Sequence, residues 1–166
     1  MRRFFWAILA PMFEVLAFVY QNYDACHVWP EHTQLEHRLC ALGYESDEIE
    51  DALSWLQALD GAARTAAPDV VQFEPSPGSC RVFPRHEQRH LGAQAIGFLW
   101  FMENAGMLPA RLREIIIERA MAVPVGPIAL DDFKLIVLLV CLRFGQRPEG
   151  LILDQLCPDT ALRQTH

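Results

Sequence analysis

Apolar side chains recur every three or four residues along most of the chain, which is the spacing of one face of an α-helix. In the first half this pattern covers three stretches, and the first spans residues 12–22. The apolar positions of the three stretches are Phe13, Leu16, Ala17 and Tyr20; Leu35, Leu39 and Leu42; and Ile49, Ala52, Leu53, Leu56 and Leu59. Gly43 ends the second stretch, as a left-handed cap often does. We therefore predict three amphipathic helices, followed by a small-residue linker over 60–69.

The second half continues the helical spacing and ends on a more apolar stretch. Two stripes are formed by Leu91, Ala95, Phe98 and Met102, and by Leu112, Ile115, Ile116 and Ala120. A last helix, capped by Asp131 or Asp132, is apolar nearly all round over 133–142. Such a helix belongs at the centre of a bundle. The aromatic residues Trp55, Trp100 and Phe101 are predicted to lie in the core.

Two short runs rich in β-branched and aromatic residues, 70–73 and 80–83, flank a stretch with two prolines and a glycine. This pattern predicts a β-hairpin with its loop at 74–79. Helix, helix, turn, helix and hairpin is the order of a winged-helix domain, although many helical domains share it. The expected fold is mostly α: a winged-helix-like N-terminal half with a short β-hairpin, packed against a C-terminal helical bundle.

The predicted segments are an N-terminal extension over 1–11, the winged-helix-like region over 12–84, the C-terminal helical region over 85–145 and a tail over 146–166. In the extension, Arg2 and Arg3 precede an apolar run, as in a signal peptide. Pro11 and Glu14 interrupt that run, and no small-x-small cleavage site follows. A membrane span needs about 20 apolar residues. We therefore favour a stretch added ahead of the domain over a signal peptide or a membrane role.

The composition is that of a folded protein from a reducing compartment. Of the 166 residues, 52% are hydrophobic and 21% charged, which argues against disorder. The five cysteines are an odd number and form no C-x-x-C pair, so a disulfide framework is not expected. These features predict reduced thiols and a cytoplasmic location.

The charge of −7 is confined to the first half of the chain. Residues 1–84 contain 5 Lys and Arg against 12 Asp and Glu, whereas residues 85–166 contain 9 of each. Neither half is basic enough to bind nucleic acid through its overall charge.

Several short motifs, each weak alone, follow one another between residues 12 and 145. They are Met12-Phe13-Glu14-Val15-Leu16, Leu42-Gly43-Tyr44, Ile49, Ala52-Leu53, Trp55-Leu56, Ser79-x-Arg81-Val82-Phe83, Glu87, Leu91, Gly97-Phe98-Leu99-x-Phe101-x-Glu103, Ile117-Glu118-Arg119 and Asp131-Asp132-x-Lys134. In order and spacing they resemble the bacterial Smg family. The resemblance implies a small cytosolic bacterial protein and no enzymatic activity, because the family has no established function. The family pattern begins near Met12, so residues 1–11 depart from it.

No motif of the chain predicts a catalytic, metal or cofactor site. His86 and His90 have the i,i+4 spacing that can share a metal on a helix, but no third ligand has a matching position. The dense set Cys26, His27, His32, His37 and Cys40 matches no zinc module. Nucleophile-elbow, phosphate-loop and dinucleotide-binding motifs do not occur. We therefore expect no enzyme, no bound metal and no cofactor.

The acidic start of the third predicted helix is the main candidate site. Its first turns contain the acidic residues Asp47, Glu48, Glu50 and Asp51. One or two acids would suffice to complement the helix dipole, and the rest repel one another. The leading hypothesis is therefore a non-enzymatic cytosolic adaptor or regulatory protein that binds an unidentified protein with a basic surface.

Nucleic-acid binding is the alternative hypothesis, because a winged-helix order suggests it. The third helix would be the reader, but its carboxylates would repel phosphates. A basic cluster after the hairpin, Arg81, Arg85 and Arg89, offers a contact from the wing side instead. If these arginines form one open surface the alternative gains support, and if they pair with carboxylates it loses support.

Overall fold

The computed structural model describes residues 6–23, 30–65 and 80–146, with side chains from Pro11 onward. These ranges contain six helices: α1 (Trp6–Tyr23), α2 (His32–Leu42), α3 (Ser46–Thr65), α4 (Arg85–Asn104), α5 (Ala110–Met121) and α6 (Leu130–Arg143). All six predicted helical stretches are confirmed. Two are longer than the sequence predicted, because α1 begins at Trp6 and α3 continues through 60–65, where a linker was expected.

Helix α6 lies at the centre of the bundle, as its apolar sequence predicted. Phe133 and residues 135–141 are buried, and α6 packs against α1, α3, α4 and α5. The ring of Phe133 meets the ring of Phe98 edge-on, with centroids 6.4 Å apart. At the other end of α6, Arg143 donates to the carboxylate of Asp60 on α3, with Nε 2.9 Å from Oδ1. The central helix therefore joins the two halves of the chain.

Helices α1, α2 and α3 form one side of the bundle, with α3 packed against both α1 and α2. Gly43 ends α2 with φ at +91°, which confirms the left-handed cap predicted for it. The short turn after Gly43 leads directly into α3 and sets the direction in which the acidic start of α3 points.

The predicted β-hairpin, and with it the winged-helix-like half, is wrong. No strand occurs in the described ranges, and residues 80–83 are an irregular segment that leads into α4. The run 70–73 and the loop 74–79 lie outside the described residues. Phe83 is buried against the edge of Trp100, and Arg81 bonds to Glu87 and Glu114, so this segment is held by side-chain contacts rather than by a strand ladder. The broader prediction of a mostly α protein is correct.

Helix α4 contains a sharp kink at Gly92, whose φ of +80° and ψ of 163° lie outside the helical region. The connection between α5 and α6 sits against this kink, where the Ile128 amide donates to the His90 carbonyl at 3.0 Å. A Cβ atom on Gly126 would lie 2.7 Å from the His90 oxygen and 2.8 Å from the His90 Cα atom. Only glycine fits between this connection and α4 without a shift of the backbone.

Candidate interaction surface

The acidic start of α3, defined here as the acidic face, consists of Asp47, Glu48, Glu50 and Asp51 in the first two turns of the helix. Asp47, Glu50 and Asp51 are exposed, while Ile49 and Ala52 between them are buried. This separation follows from the helical period, because residues 47, 50, 51 and 54 project to one side. The structure therefore places Asp47, Glu50 and Asp51, three of the four predicted candidate residues, together on one exposed surface.

Glu48 differs from the other three members of the acidic face. It is half-buried, and its Oε2 accepts from the amide of Glu45 at 3.4 Å, just ahead of the helix. Burial raises the pKa of the nearby Tyr44 hydroxyl, and the charges of Glu14 and Glu48 raise it further. Glu48 thus contributes to the start of the helix, and Glu14 of α1 adds negative charge to the same region.

No member of the acidic face forms an ion pair with another described residue. The two described arginines of α1–α3 are engaged elsewhere. Arg38 lies over the ring of Phe18, with Cζ 5.8 Å from its centroid, and Arg64 pairs with Asp60 at 2.6 Å. The carboxylates of the acidic face are therefore left to solvent or to a partner.

Arg81, the first residue of the predicted basic cluster, is held by two carboxylates. Its Nη1 lies 2.6 Å from Oε2 of Glu87, and its Nε lies 2.8 Å from Oε1 of Glu114. The side chains of Arg81 and Glu87 are only 17% and 12% exposed. The hydrogen bonds from Arg81 lower the pKa of Glu87 against the opposing effect of burial. Arg81 is therefore a structural residue that has little free charge to offer a ligand.

The contacts of Arg81 continue into a longer ion-pair network between α4 and α5. Arg113 binds Glu114 at 2.8 Å and also binds Glu103 near the end of α4. Both arginines bind Glu114, so Glu87 and Glu103 of the same helix belong to one network. The two carboxylates of α4 are thus neutralised.

Arg85 and Arg89, the other two residues of the predicted basic cluster, are exposed. Neither forms an ion pair within the described ranges. The structure therefore places two of the three predicted arginines on the open surface and one in a bonded network.

Of the two histidines predicted not to bind metal, His90 makes a contact within the fold and His86 does not. His90 places its Nε2 3.1 Å from the carbonyl oxygen of Ala120, which occupies one ring nitrogen, whereas His86 is exposed. No group of three or more His, Cys, Asp or Glu residues able to hold a metal occurs in the ranges that the structure describes. None of the helices in those ranges combines the length and the apolarity needed to cross a membrane.

The assignment of three aromatic residues to the core is correct for one and wrong for two. Trp55 is buried, and its Nε1 donates to the carbonyl of Arg119 at 3.0 Å. Trp100 and Phe101 are 49% and 48% exposed, because the buried stripe of α4 passes through Leu99 and Met102 instead. On a helical wheel that starts at Leu91, Trp100 lies opposite the buried stripe, so its exposure could be predicted from the sequence.

Asp131 and Asp132 occupy the first turn of α6, but the N-cap is Ala129, so the predicted capping role is wrong. Burial, and then the charge of Asp131, raise the pKa of Asp132 to about 6.

This folded-state pKa lies above the ordinary value of 3.8, so ionisation of Asp132 destabilises the folded chain at neutral pH. We expect Asp132→Asn to raise the free energy of unfolding by about 1–2 kcal/mol near pH 8. The gain should shrink as the pH falls from about 6 towards 3.8, because the parent regains this stability when Asp132 is protonated. Thermal denaturation of both proteins between these pH values and pH ~8 measures the gain. A gain that does not change with pH would contradict the raised pKa of Asp132.

A family model described as "Protein of unknown function (DUF494)" matches residues 12–166. A protein named "Protein Smg homolog" from Methylibium petroleiphilum is 48% identical over 158 residues, which cover 93% of this chain and 100% of the relative. The chain belongs to the Smg family. Smg homologs from Leptothrix cholodnii and Bordetella avium are 46% and 37% identical, each over 93% of this chain and the whole of the relative.

No solved structure matches the chain. The family description names no function, so membership gives neither an activity nor a partner. The structure does explain several residues that led to the resemblance. Arg81, Glu87 and Glu103 lie in the ion-pair network, and the Trp55 indole donates to the backbone carbonyl of Arg119, which links α3 to α5. The side chains of Arg81, Glu87, Glu103 and Trp55 therefore join separate elements of the fold.

Proposed function

We propose that this Smg family member is a non-enzymatic adaptor or regulatory protein of the bacterial cytoplasm, which binds a protein with a basic surface through the acidic face. The observation that supports it most is that Asp47, Glu50 and Asp51 are exposed and form no ion pair in the described part of the chain. Electrostatic complementarity of this kind speeds association and selects partners.

The helix dipole alone does not account for the acidic face. Only Asp47 and Glu48 lie in the first turn of α3, where a negative charge gains about 0.3–1 kcal/mol. Glu50 and Asp51 lie beyond that turn, where the dipole has little effect, and they repel their neighbours. Stability therefore gives no reason for these two acids, whereas a basic partner does.

Nucleic-acid binding, the alternative function, has less support. It would depend on Arg85 and Arg89, since Arg81 is bonded to two carboxylates. Two arginines can neutralise about two phosphates, which is a small share of the contacts that give tight binding. The acid excess of α1–α3 would further oppose a polyanion.

The proposal predicts that neutralising Glu50 and Asp51 weakens partner capture without loss of folding. The Glu50→Gln, Asp51→Asn variant should retain less of the partner from a bacterial lysate than the parent does, because two of its ionic contacts are removed. Raising the salt to about 0.5 M should weaken the parent complex towards the level of the variant.

The matched control is the Glu31→Gln, Glu36→Gln variant, which has the same change in charge at exposed positions at the start of α2. It should capture the same partner with the same salt dependence as the parent. Equal loss in both variants would assign the effect to net charge, and no loss in either would contradict a role for the acidic face.

A further inference from the structure

The turn surface, defined as Phe18, Leu42 and Tyr44, is a set of apolar side chains at the turn between α2 and α3. Leu42 continues the helical stripe of the buried residues Leu35 and Leu39, yet it is 58% exposed at the last position of α2. Phe18 and Tyr44 are half-buried, and their ring centroids lie 6.4 Å apart. The apolar stripe of α2 therefore runs out of the core and onto the surface at this turn.

The way in which α2 ends fixes the position of Tyr44. The amide of Gly43 donates to the Cys40 carbonyl at 3.1 Å, and the amide of Tyr44 donates to the Leu39 carbonyl at 3.3 Å. This pair of hydrogen bonds is a Schellman motif. The turn surface is thus formed in advance, so a ligand would lose little binding free energy in ordering it.

Carboxylates border the turn surface on two sides. Glu14 is exposed on α1 one helical turn before Phe18, and the exposed Glu45 directly follows Tyr44. Burial raises the pKa of Tyr44, and the charges of Glu14 and Glu48 raise it further, so both carboxylates lie near its hydroxyl. The acidic face, which includes Glu48, continues this border along α3.

The acids beside the turn surface are not neutralised within the described ranges. Neither Glu14 nor Glu45 forms an ion pair there. Arg38 of α2 lies over the Phe18 ring instead, and its Nη1 donates to the Tyr23 hydroxyl at 3.4 Å. A ligand at this turn would therefore meet apolar side chains between unpaired carboxylates.

This charge pattern decides which occupant fits the turn surface. A nucleic acid or an anionic membrane would bring phosphates against Glu14, Glu45 and the acidic face. A second copy would bring a further charge of −7. A wholly apolar ligand would bury carboxylates without a partner, which costs free energy. Apolar side chains flanked by lysine or arginine match both the centre of the surface and its borders.

We propose that the turn surface binds a basic amphipathic segment of the partner, whose apolar side chains cover Leu42 and whose lysine or arginine side chains meet Glu14 and the acidic face. This inference rests on the proposed function, because it names the kind of basic protein segment that the acidic face binds. It adds an apolar contact to the ionic ones, and salt does not screen that contact.

The test is a titration of the full chain with two fluorescent synthetic peptides of about four helical turns, or about 14 residues. The first contains leucine and lysine, with its leucines on one helical face, and the second has glutamine in place of each leucine. The parent should bind the leucine peptide with a Kd on the order of 10 µM. It should bind the glutamine peptide at least about tenfold more weakly, because the apolar contact is missing.

Leu42→Gln should weaken binding of the leucine peptide at least about fivefold and leave binding of the glutamine peptide unchanged. The variant should fold normally, since glutamine forms helices about as well as leucine and position 42 is largely exposed. Val82→Gln is the matched control, because Val82 is an exposed aliphatic residue ahead of α4. It should change neither affinity. The Glu50→Gln, Asp51→Asn variant should weaken both peptides alike.

Equal affinity of the parent for the two peptides would overturn this inference and leave the proposed function intact, since the acidic face would then bind by charge alone. Loss of the leucine peptide in Val82→Gln but not in Leu42→Gln would overturn it as well, because the apolar contact would lie elsewhere. Binding of neither peptide would also overturn it. The capture experiment with the acidic-face variant tests the proposed function separately from all three results.

Discussion

Replacing Arg81 by alanine should lower the free energy of unfolding by about 3 kcal/mol at pH 7. The substitution leaves Glu87, which is 12% exposed, without the guanidinium that binds both of its oxygens. It also removes the contact of Arg81 with Glu114 and the cation–π contact of its guanidinium with Phe83, where Cζ lies 4.7 Å from the ring centroid. Denaturation with urea measures the loss.

The pH dependence of this loss follows from the lowered pKa of Glu87. A carboxylate with a lowered folded-state pKa stabilises the protein above its unfolded pKa, and this contribution disappears as the pH falls through the folded value. The difference between the parent and Arg81→Ala should therefore shrink in acid.

Arg89→Ala is the control, because Arg89 is exposed and forms no ion pair in the described ranges. Its effect should stay within about 0.5 kcal/mol. If Arg81→Ala were as harmless as Arg89→Ala, the ion-pair network would not stabilise the fold, and Arg81 would again be available as a contact for nucleic acid.

Replacing Gly126 by alanine should lower the free energy of unfolding by about 2–3 kcal/mol. The added Cβ would meet the backbone of His90 at 2.7 and 2.8 Å, and backbone atoms cannot turn aside as the end of a side chain can. The connection between α5 and α6 would have to move away from the kink in α4, which would weaken the bond from the Ile128 amide to the His90 carbonyl.

Gly61→Ala is the matched substitution with the opposite expected sign. Gly61 lies within α3, and its Cβ would meet nothing within 4 Å. Alanine there should stabilise the protein by roughly 0.5–1 kcal/mol, because it favours the helix. Thermal denaturation of both variants beside the parent measures the two effects. If both substitutions changed the stability in the same direction, the close packing of Gly126 on His90 would be contradicted.

Local periodicity explains how much of the fold could be predicted. The stripes that define α2, α3 and α5 reflect contacts that repeat every helical turn, so the residues themselves contain the signal. The continuous apolar run of α6 placed this helix at the centre of the bundle, and Gly43 marked the end of α2. Each of these features depends on residues within about two turns of one another.

The features that were not predicted depend on contacts between distant parts of the chain. Residues 80–83 resemble a short strand in composition, but Arg81 meets Glu114, 33 positions later. The kink at Gly92 packs against the connection that follows α5, and the residues next to Gly92 in the sequence do not predict this contact. The winged-helix order was therefore read from a local pattern that tertiary contacts override.

The same distinction applies to the candidate site. The period of α3 was enough to predict that Asp47, Glu50 and Asp51 face solvent. The bond from the Glu45 amide to Glu48, and the carboxylates that bind Arg81, required the three-dimensional structure. The exposure of Trp100 could have been found from a helical wheel, but the general tendency of tryptophan towards the core was given more weight.

Site-specific photo-crosslinking from α3 tests the central claim, that the acidic face binds a basic protein, most directly. A photoreactive residue replaces Ser54, which is exposed one turn beyond Glu50 and Asp51, so that all four acids remain. The control position is Gln34, which is exposed on α2. Crosslinking in cells followed by peptide mass spectrometry should give an adduct from position 54 that maps to a lysine- or arginine-rich surface of the partner. The adduct should be absent from position 34. It should also be lost in the Glu50→Gln, Asp51→Asn background. Adducts that are equal from both positions, or that persist without these two acids, would contradict the claim.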